Sequence, residues 1–408
     1  MNTQLFVAKK IIKGTDGKSM FSQPVIRLAI ASMSLGVAVM LVTIMIVTGF
    51  KEQITQKVSG FAAHIQLSSF SDGENLDESS FSKNQSFLPE IKKLPDVKHV
   101  QVYARKAGIL KTKDEFEGVV LKGIGDDYDF TYLNSHLQSG KIPTLKKEVI
   151  TNDILISQNL SSKLQLKTGD SFLVYFLENS KKVRKFTVCG IYNTGLAEEF
   201  DNIYLFCDIR VIQKLNNWSE NDIAGYEIYT TDFKNVDQTA TSIYNLTGYN
   251  FNCKSIKDIY PQIFNWLELQ NINVMIIICL MMLVAGINMI ATLLIIILDN
   301  TLSIGLLKAL GATSGFIRKV YLRVSIYIVA RGLLIGNLIG ISLCFLQYYF
   351  EIIKLPQESY YVSSVPVSFN LWSIVLVNLT TCVICFLMLV IPSGIISKVS
   401  PVKVLQFS

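Results

Sequence analysis

Charge is what this chain of 408 residues has least of, at 17% Asp, Glu, Lys and Arg where an ordinary globular domain carries about 25%. The shortage is concentrated. Residues 28–50, 272–298 and 359–397 contain none of the four, and 50% of all residues are hydrophobic, with a mean hydropathy of +0.38. An ordinary soluble globule is excluded. Histidine is scarce as well, with only His64, His99 and His136. No His-Glu-x-x-His, no extramembrane Cys-x-x-Cys and no Gly-x-Ser-x-Gly elbow occurs, so metal and nucleophilic catalysis have no visible home. The sequence GTDGKS at Gly14–Ser19 imitates the end of a phosphate-binding loop, but Ile12 stands where its first glycine belongs and no strand precedes it. The acidic cluster Asp126, Asp127 and Asp129 lacks the glycine and distal glutamate of a calcium loop and reads as a solvated turn. The chain is expected to be no enzyme and to hold no cofactor or metal of its own, so that any work it performs draws on a partner.

What is present is apolar length. A membrane crossing needs about 20 apolar residues at 1.5 Å each, and 26–49, 272–298, 324–350 and 371–391 qualify. The expected fold is an α-helical membrane protein with four transmembrane helices plus a large α+β domain between helices 1 and 2. Lys9, Lys10, Lys13, Lys18 and Arg27 precede the first span, Lys308, Arg318, Lys319 and Arg323 lie between the second and third, and Lys398 and Lys403 follow the fourth. That side carries a net +9, whereas 51–270 carries −3. The basic excess places both termini and the loop before the third span in the cytoplasm. The overall +6 therefore reports topology, and nucleic acid is not an expected partner. The expected division is 1–25 cytoplasmic arm, 26–49 first span, 50–271 outer domain with helical stalks, and 272–298 second span. It continues with 299–323 cytoplasmic loop, 324–350 third span, 351–370 outer loop, 371–391 fourth span and 392–408 cytoplasmic tail. The first apolar run is longer than the 7 to 15 residues of a cleavable signal and is read as an uncleaved anchor.

In the outer domain, segments 97–110, 117–124, 171–177, 183–191, 203–207 and 226–230 are rich in Val, Ile, Tyr and Phe and predict strands. Segments 157–166, 208–216 and 233–246 predict helices. The irregular order favours α+β over a strict βαβ repeat. Cys189 and Cys207 end two strand-like runs that could pair, which leaves a disulfide between them open. Cys279, Cys344, Cys382 and Cys385 lie in spans and read as soft packing.

Gly332, Gly336 and Gly340 recur every fourth residue in the third span and form a groove for close helix approach. The preferred partner is another helix of the same unit, ahead of a second subunit. Ser32 and Gly36 form a weaker version on the first span. Arg331 reads as snorkelling to the cytoplasmic face, ahead of a functional ion pair for which the spans offer no acid, and Asn288, Asn337 and Asn378 offer interhelical hydrogen bonds. The loop 303–323, SIGLLKALGATSGFIRKVYLR, puts Ile304, Leu307, Ala309 and Leu310 on a short helix interrupted at Gly311. Such a helix lies in the membrane interface or docks on a partner.

Several stretches carry a family resemblance: FVAKK (6–10), TGFKEQITQKVSGFAAHIQL (48–67), SGKIPT (139–144), LQLKTGD (164–170), VCGIYNTGLAEEFDN (188–202), IGLLKALGAT (304–313) and LPQESYYVSSVPV (355–367). End to end, the chain resembles FtsX-like/MacB-type ABC transporter permeases, and within them the lipoprotein-releasing system transmembrane protein (LolC/LolE) family. The resemblance implies a bacterial inner-membrane protein with a MacB-like periplasmic core domain, working as a homodimer or with a close relative. It implies a separate cytoplasmic ABC ATPase that binds ATP and Mg, docking on a coupling loop that comprises Ser303, Ile304, Gly305, Leu307, Lys308, Ala309, Gly311 and Ala312. It further implies acylated lipoprotein cargo drawn sideways from the outer leaflet, contact with membrane lipids, and a periplasmic lipoprotein carrier. Two departures stand out. Asn300 and Ser303 replace charged residues common before Ile304, and the turn at Glu178–Lys182 is shorter than the hairpin of the carrier-recruiting subunit. A MacB-like exporter of a peptide or toxin, and an FtsX-like switch of a periplasmic hydrolase, are the alternatives.

Overall fold

Long apolar runs fold as long helices, and the computed structural model, which describes residues 3–13, 22–70, 79–112, 115–145, 149–176, 182–196 and 200–389, contains four of them. The phosphate-loop look-alike at 14–19, most of the turn at 178–182 and the tail 392–408 lie outside the described residues. In chain order, α1 (Thr3–Lys13) and α2 (Ser22–Ala62) lead to β1 (Ile65–Ser69), β2 (Phe81–Ser82), α3 (Leu88–Ile91), β3 (Val97–Lys111) and β4 (Phe116–Ile124). Next come α4 (Thr131–Ser135), β5 (Leu137–Gly140), β6 (Asp153–Ser157), α5 (Gln158–Lys163), β7 (Ser171–Phe176), β8 (Lys182–Tyr192) and β9 (Tyr204–Asp208). Then follow α6 (Ile209–Asn216), β10 (Asp222–Ile223), β11 (Gly225–Thr230), α7 (Val236–Thr247), β12 (Phe251–Ser255) and α8 (Ile256–Ile259). The chain continues through α9 (Pro261–Asp299), α10 (Thr301–Ala309), α11 (Ser314–Phe350), α12 (Gln357–Tyr360) and α13 (Leu371–Met388). Two units result. One comprises the chain up to Lys51, Leu267–Ile353 and Val365 onward; the other comprises Glu52–Trp266 with Lys354–Ser364.

In the helical unit, α2, α9, α11 and α13 are long and apolar enough to cross a membrane. Their ends follow local chemistry. Thr313 accepts from Phe316 N at 3.2 Å to start α11, Asn370 accepts from Trp372 N at 2.9 Å to start α13, and Pro261 opens α9 where its missing N–H costs nothing. Three of the four helices run past the expected spans because polar residues continue them: α2 extends thirteen residues beyond position 49, α9 begins eleven before position 272 and α11 begins ten before position 324, while α13 ends at Met388, short of the expected 391. One core gathers Met33, Met289, Ile296, Ile304, Ile317 and Tyr321, and Ala8 of α1 is buried in it, so the arm before the first span is partly a packed helix. Asn337 and Asn378 exchange amide hydrogen bonds at 2.6 and 2.9 Å between α11 and α13, a pairing that apolar surroundings favour. The Arg331 guanidinium lies 5.3 Å from the centroid of the Tyr327 ring.

The second unit is a mixed sheet in the order β12-β1-β11-β3-β4-β9-β6-β8-β5, with β7 bridging β3 and β8. β4 with β9 and β6 with β8 are parallel and the other pairs antiparallel. Apolar residues on alternate positions pack beneath α5, α6 and α7 in a core that includes Leu121, Ile154, Phe186, Leu205, Ile212 and Ile243. Two expectations are corrected. The segment 157–166 is not helical throughout: Ser157 closes β6 and caps α5, accepting from Leu160 N at 3.1 Å. The runs ending at Cys189 and Cys207 do not pair with each other, because β6, unforeseen in the sequence, lies between β8 and β9. Both thiols are free and buried, and Cys189 Sγ donates to Ile154 O at 3.2 Å. Burial pushes the Cys189 thiol up to about 12 and raises Cys207 further, so neither is a nucleophile at neutral pH.

Candidate functional site

The short helix α10 follows α9 after a single residue and has two faces. Ile304 and Gly305 are buried, Ile304 in the bundle core, while Leu302, Leu306 and Leu310 are 55%, 57% and 78% exposed. Spacing of four residues puts these leucines in one stripe. Of the other residues expected in the coupling loop, Ser303, Ala309 and Gly311 are exposed, and Leu307, Lys308 and Ala312 are half-buried. The stripe was missed at Leu302 and Leu306 although the i, i+4, i+8 leucine spacing was there to read. The helix stops in a tight turn, with Gly311 N bonding Lys308 O at 3.0 Å and Ala312 N bonding Leu307 O at 2.9 Å. Gly311 has φ +93°, a conformation that side-chain-bearing residues resist.

The glycines of α11 meet α2. A Cβ on Gly332 would strike Met33, one on Gly336 would lie 2.7 Å from Ser34 O and from Val37 Cβ, and one on Gly340 would lie 3.3 Å from Ala38 and Leu41. All three glycines are buried. The small-residue pattern at Ser32 and Gly36 is not its counterpart, since Gly36 meets nothing within 4 Å. At 100° per residue, 33, 34, 37, 38 and 41 form the facing stripe, and 36 points elsewhere.

Within the sheet unit, the last turns of α2 enter a junction of segments far apart in sequence. Phe61 inserts its ring among Phe200, Phe206 and Tyr204, at centroid distances of 4.4, 5.3 and 5.4 Å. Lys122 of β4 donates to Phe61 O at 3.1 Å and pairs with Glu227 of β11 at 2.6 Å, with both side chains at most 3% exposed. Gln101 of β3 donates to the other Glu227 oxygen at 2.9 Å. A cation at a helix C-terminus meets the negative end of the helix dipole, and the paired glutamate keeps the buried ammonium from standing alone. Tyr132 OH donates to Lys57 O at 3.0 Å, and Lys57 Nζ donates to Tyr361 O at 3.0 Å. The Gln357 side chain closes over Gly195, whose turn is fixed by Asp201: that carboxylate accepts from Thr194 N, Thr194 Oγ1 and Gly195 N at 3.1, 2.8 and 3.0 Å. Burial raises the Asp201 carboxyl against the pull of those bonds. Three stretches singled out by resemblance, at 48–67, 188–202 and 355–367, thus converge in one place. Lys122, Glu227 and Gln101 were missed, although a lone lysine inside the apolar run 117–124 is itself a signal of a buried partner. Among the described residues no group of histidine, cysteine and carboxylate side chains is placed to hold a metal.

A helical bundle with a sheet domain inserted after its first long helix, and a leucine-striped connector between its second and third, is the architecture of a polytopic membrane protein. Residues 28–245 match the MacB-like periplasmic core domain and residues 275–401 match the FtsX-like permease C-terminal domain. The chain belongs to this family of FtsX-like, MacB-type ABC transporter permeases. It is similar to the lipoprotein-releasing system transmembrane protein LolE of Haemophilus influenzae, at 19% identity over 100% of both chains. It is also similar to the lipoprotein-releasing system transmembrane protein LolC of Neisseria meningitidis serogroup B, at 21% identity over 93% of both. The crystal structure of the periplasmic region of MacB from Actinobacillus actinomycetemcomitans covers 51% of this chain and 96% of that one, at 13% identity and a TM-score of 0.34, a likeness too slight to carry weight.

Proposed function

We propose that this chain is the permease subunit of a lipoprotein-releasing ABC transporter, extracting acylated lipoproteins from the outer leaflet of the bacterial inner membrane for delivery to the outer membrane. The observation that carries the reading is the exposed leucine stripe of α10 on a chain similar over its full length to lipoprotein-releasing subunits. Three leucines in one exposed stripe, on a connector that buries only Ile304 and Gly305, call for cover, and a separate ATPase supplies it. Ser303 and Ala309 share the exposed surface, and Gly311 sets where the helix ends. Both termini and α10 face the cytoplasm on the basic-residue count, and the sheet domain faces the periplasm. ATPase closure against α10 moves the bundle, and the Lys122 clamp on Phe61 makes the end of α2 and the sheet move as one body. A second permease subunit, identical or closely related, completes the lateral opening for acyl chains, and a soluble carrier receives the cargo. The subunit itself carries out no chemistry, ATP and Mg being bound by the partner.

Depleting the protein, separating inner from outer membrane and identifying acylated proteins in each by mass spectrometry tests the reading. Build-up of many lipoproteins in the inner membrane is the expected result. Normal sorting under verified depletion rejects it and moves the function to export of a peptide or to control of a hydrolase.

A further inference from the structure

The short helix α1, ahead of the first long one, has two faces of different chemistry. Packing settles the inward face. Ala8 is buried, and Val7, Ile11 and Ile12 pack half-buried against the core that holds Ile296 and Ile297 of α9, Ile304 of α10, and Ile317, Val320 and Tyr321 of α11. Those partners are the last turns of one apolar helix, the connector and the first turns of the next, so α1 lies where the bundle leaves the hydrocarbon. The outward face is Leu5, Phe6, Lys9 and Lys10, all exposed, the first two at 45% and 55%. At 100° per residue they follow one another as Leu5, Lys9, Phe6, Lys10 around an arc of about 140°, each lysine beside an apolar side chain. The helix, TQLFVAKKIIK, holds no aspartate or glutamate.

We infer that the outward face of α1 docks on the bilayer surface and binds anionic phospholipid, with Leu5 and Phe6 among the first acyl carbons and Lys9 and Lys10 on headgroup phosphates. Water alone gives the leucine and phenylalanine nothing to bury against, and hydrocarbon alone is costly for the lysines. A bilayer surface takes both, because a lysine can lay its four-carbon stem along apolar surface and keep its ammonium among phosphates. Position favours lipid over a protein partner, since the face lies beside the spans, where bilayer is present whatever else binds. Headgroup charge then matters. A zwitterionic headgroup sets its own ammonium against the two lysines, whereas an anionic one does not. The inference rests on the transport reading only for the side of the membrane, which the basic-residue count makes the cytoplasmic one. Ala8 and Ile304 share one core, so lipid held at α1 steadies the seat of α10.

Amide hydrogen exchange of the full chain in nanodiscs tests this, following residues 3–13 in phosphatidylcholine alone and in phosphatidylcholine mixed with phosphatidylglycerol. The expected result is exchange at least fivefold slower in the mixture, with β3 and β4 the same in both. Raising the salt to about 1 M, where the screening length falls to about 3 Å, should shrink the difference, and Lys9→Gln with Lys10→Gln should abolish it. Both lysines are exposed, and unchanged exchange of β3 and β4 in the double variant verifies its fold. Glycerophosphoglycerol, the same headgroup without acyl chains, should slow nothing when added to phosphatidylcholine nanodiscs; slowing by it overturns the bilayer assignment in favour of a soluble anion. Equal exchange in the two lipids overturns the inference and leaves the face to a protein partner, and a difference that survives the double variant removes Lys9 and Lys10 from it. None of these outcomes depends on whether the protein releases lipoproteins.

Discussion

His64 stands just beyond Ala63, whose φ of +60° ends α2, and burial lowers its imidazole from 6.5 to about 4. Its Nδ1 accepts from Thr230 N at 2.8 Å, which a neutral ring can do and a protonated one cannot. The folded-state value is depressed, so between about 4 and 6.5 the unfolded chain binds a proton that the folded one does not, and stability rises with pH across that window. The contribution is fully present above about 6.5 and is lost as pH falls through 4, with a total on the order of 3 kcal/mol. Thermal unfolding of the full chain at pH 7, 5.5 and 4.5 should show this loss, and a His64→Asn variant, weaker at pH 7, should show a shallower one. Parallel curves would remove His64 from the account. The sequence showed His64 as one of three scarce histidines and within the stretch 48–67 that carries the resemblance, but not its partner, because Thr230 is brought to it by the pairing of β1 with β11, which no local pattern encodes.

Close packing of α11 on α2 belongs to the scale of elements, and it separates two glycines of equal appearance in the sequence. Alanine at Gly336 puts a methyl 2.7 Å from a backbone oxygen of the facing helix, whereas alanine at Gly36 meets nothing within 4 Å. Gly→Ala ordinarily favours a helix by about 1 kcal/mol, so Gly36→Ala should leave the melting temperature of the detergent-solubilised chain unchanged or higher. Gly336→Ala should lower it, since overpacking costs about 1–3 kcal/mol; equal effects at both sites would contradict the packing described. The stripe of three glycines was legible from its four-residue spacing, but the face of α2 that receives it was not, because Ser34 and Ala38 are small residues four apart just as Ser32 and Gly36 are, and the spacing does not choose between the two pairs. In the same way the cysteine-ending runs 185–190 and 202–207 look adjacent until β6 is placed between them, a non-local fact about strand order.

At the scale of the whole molecule, the spans were legible because hydrocarbon demands long charge-free runs, and the sheet domain because such runs stop at Lys51 and resume near 272. The order of its strands was not, since neighbours such as β4 and β9 are separated by some 80 residues. The candidate coupling helix was legible by resemblance and by its apolar content, while its outward face needed the fold, which turns Ile304 inward and Leu306 outward. In the proposed function, this outward face couples a partner's ATP hydrolysis to removal of acylated protein from a bilayer. Reconstituting the chain with the proposed ATPase and second permease subunit in proteoliposomes loaded with a triacylated protein, and following ATP-dependent release to a soluble acceptor for wild type and for Leu306→Glu, tests this directly. The account predicts release with wild type and a loss of at least tenfold with the variant, at unchanged insertion of the chain into the membrane. Release that proceeds equally with Leu306→Glu, or that never exceeds the level without ATP in the wild type, would contradict it.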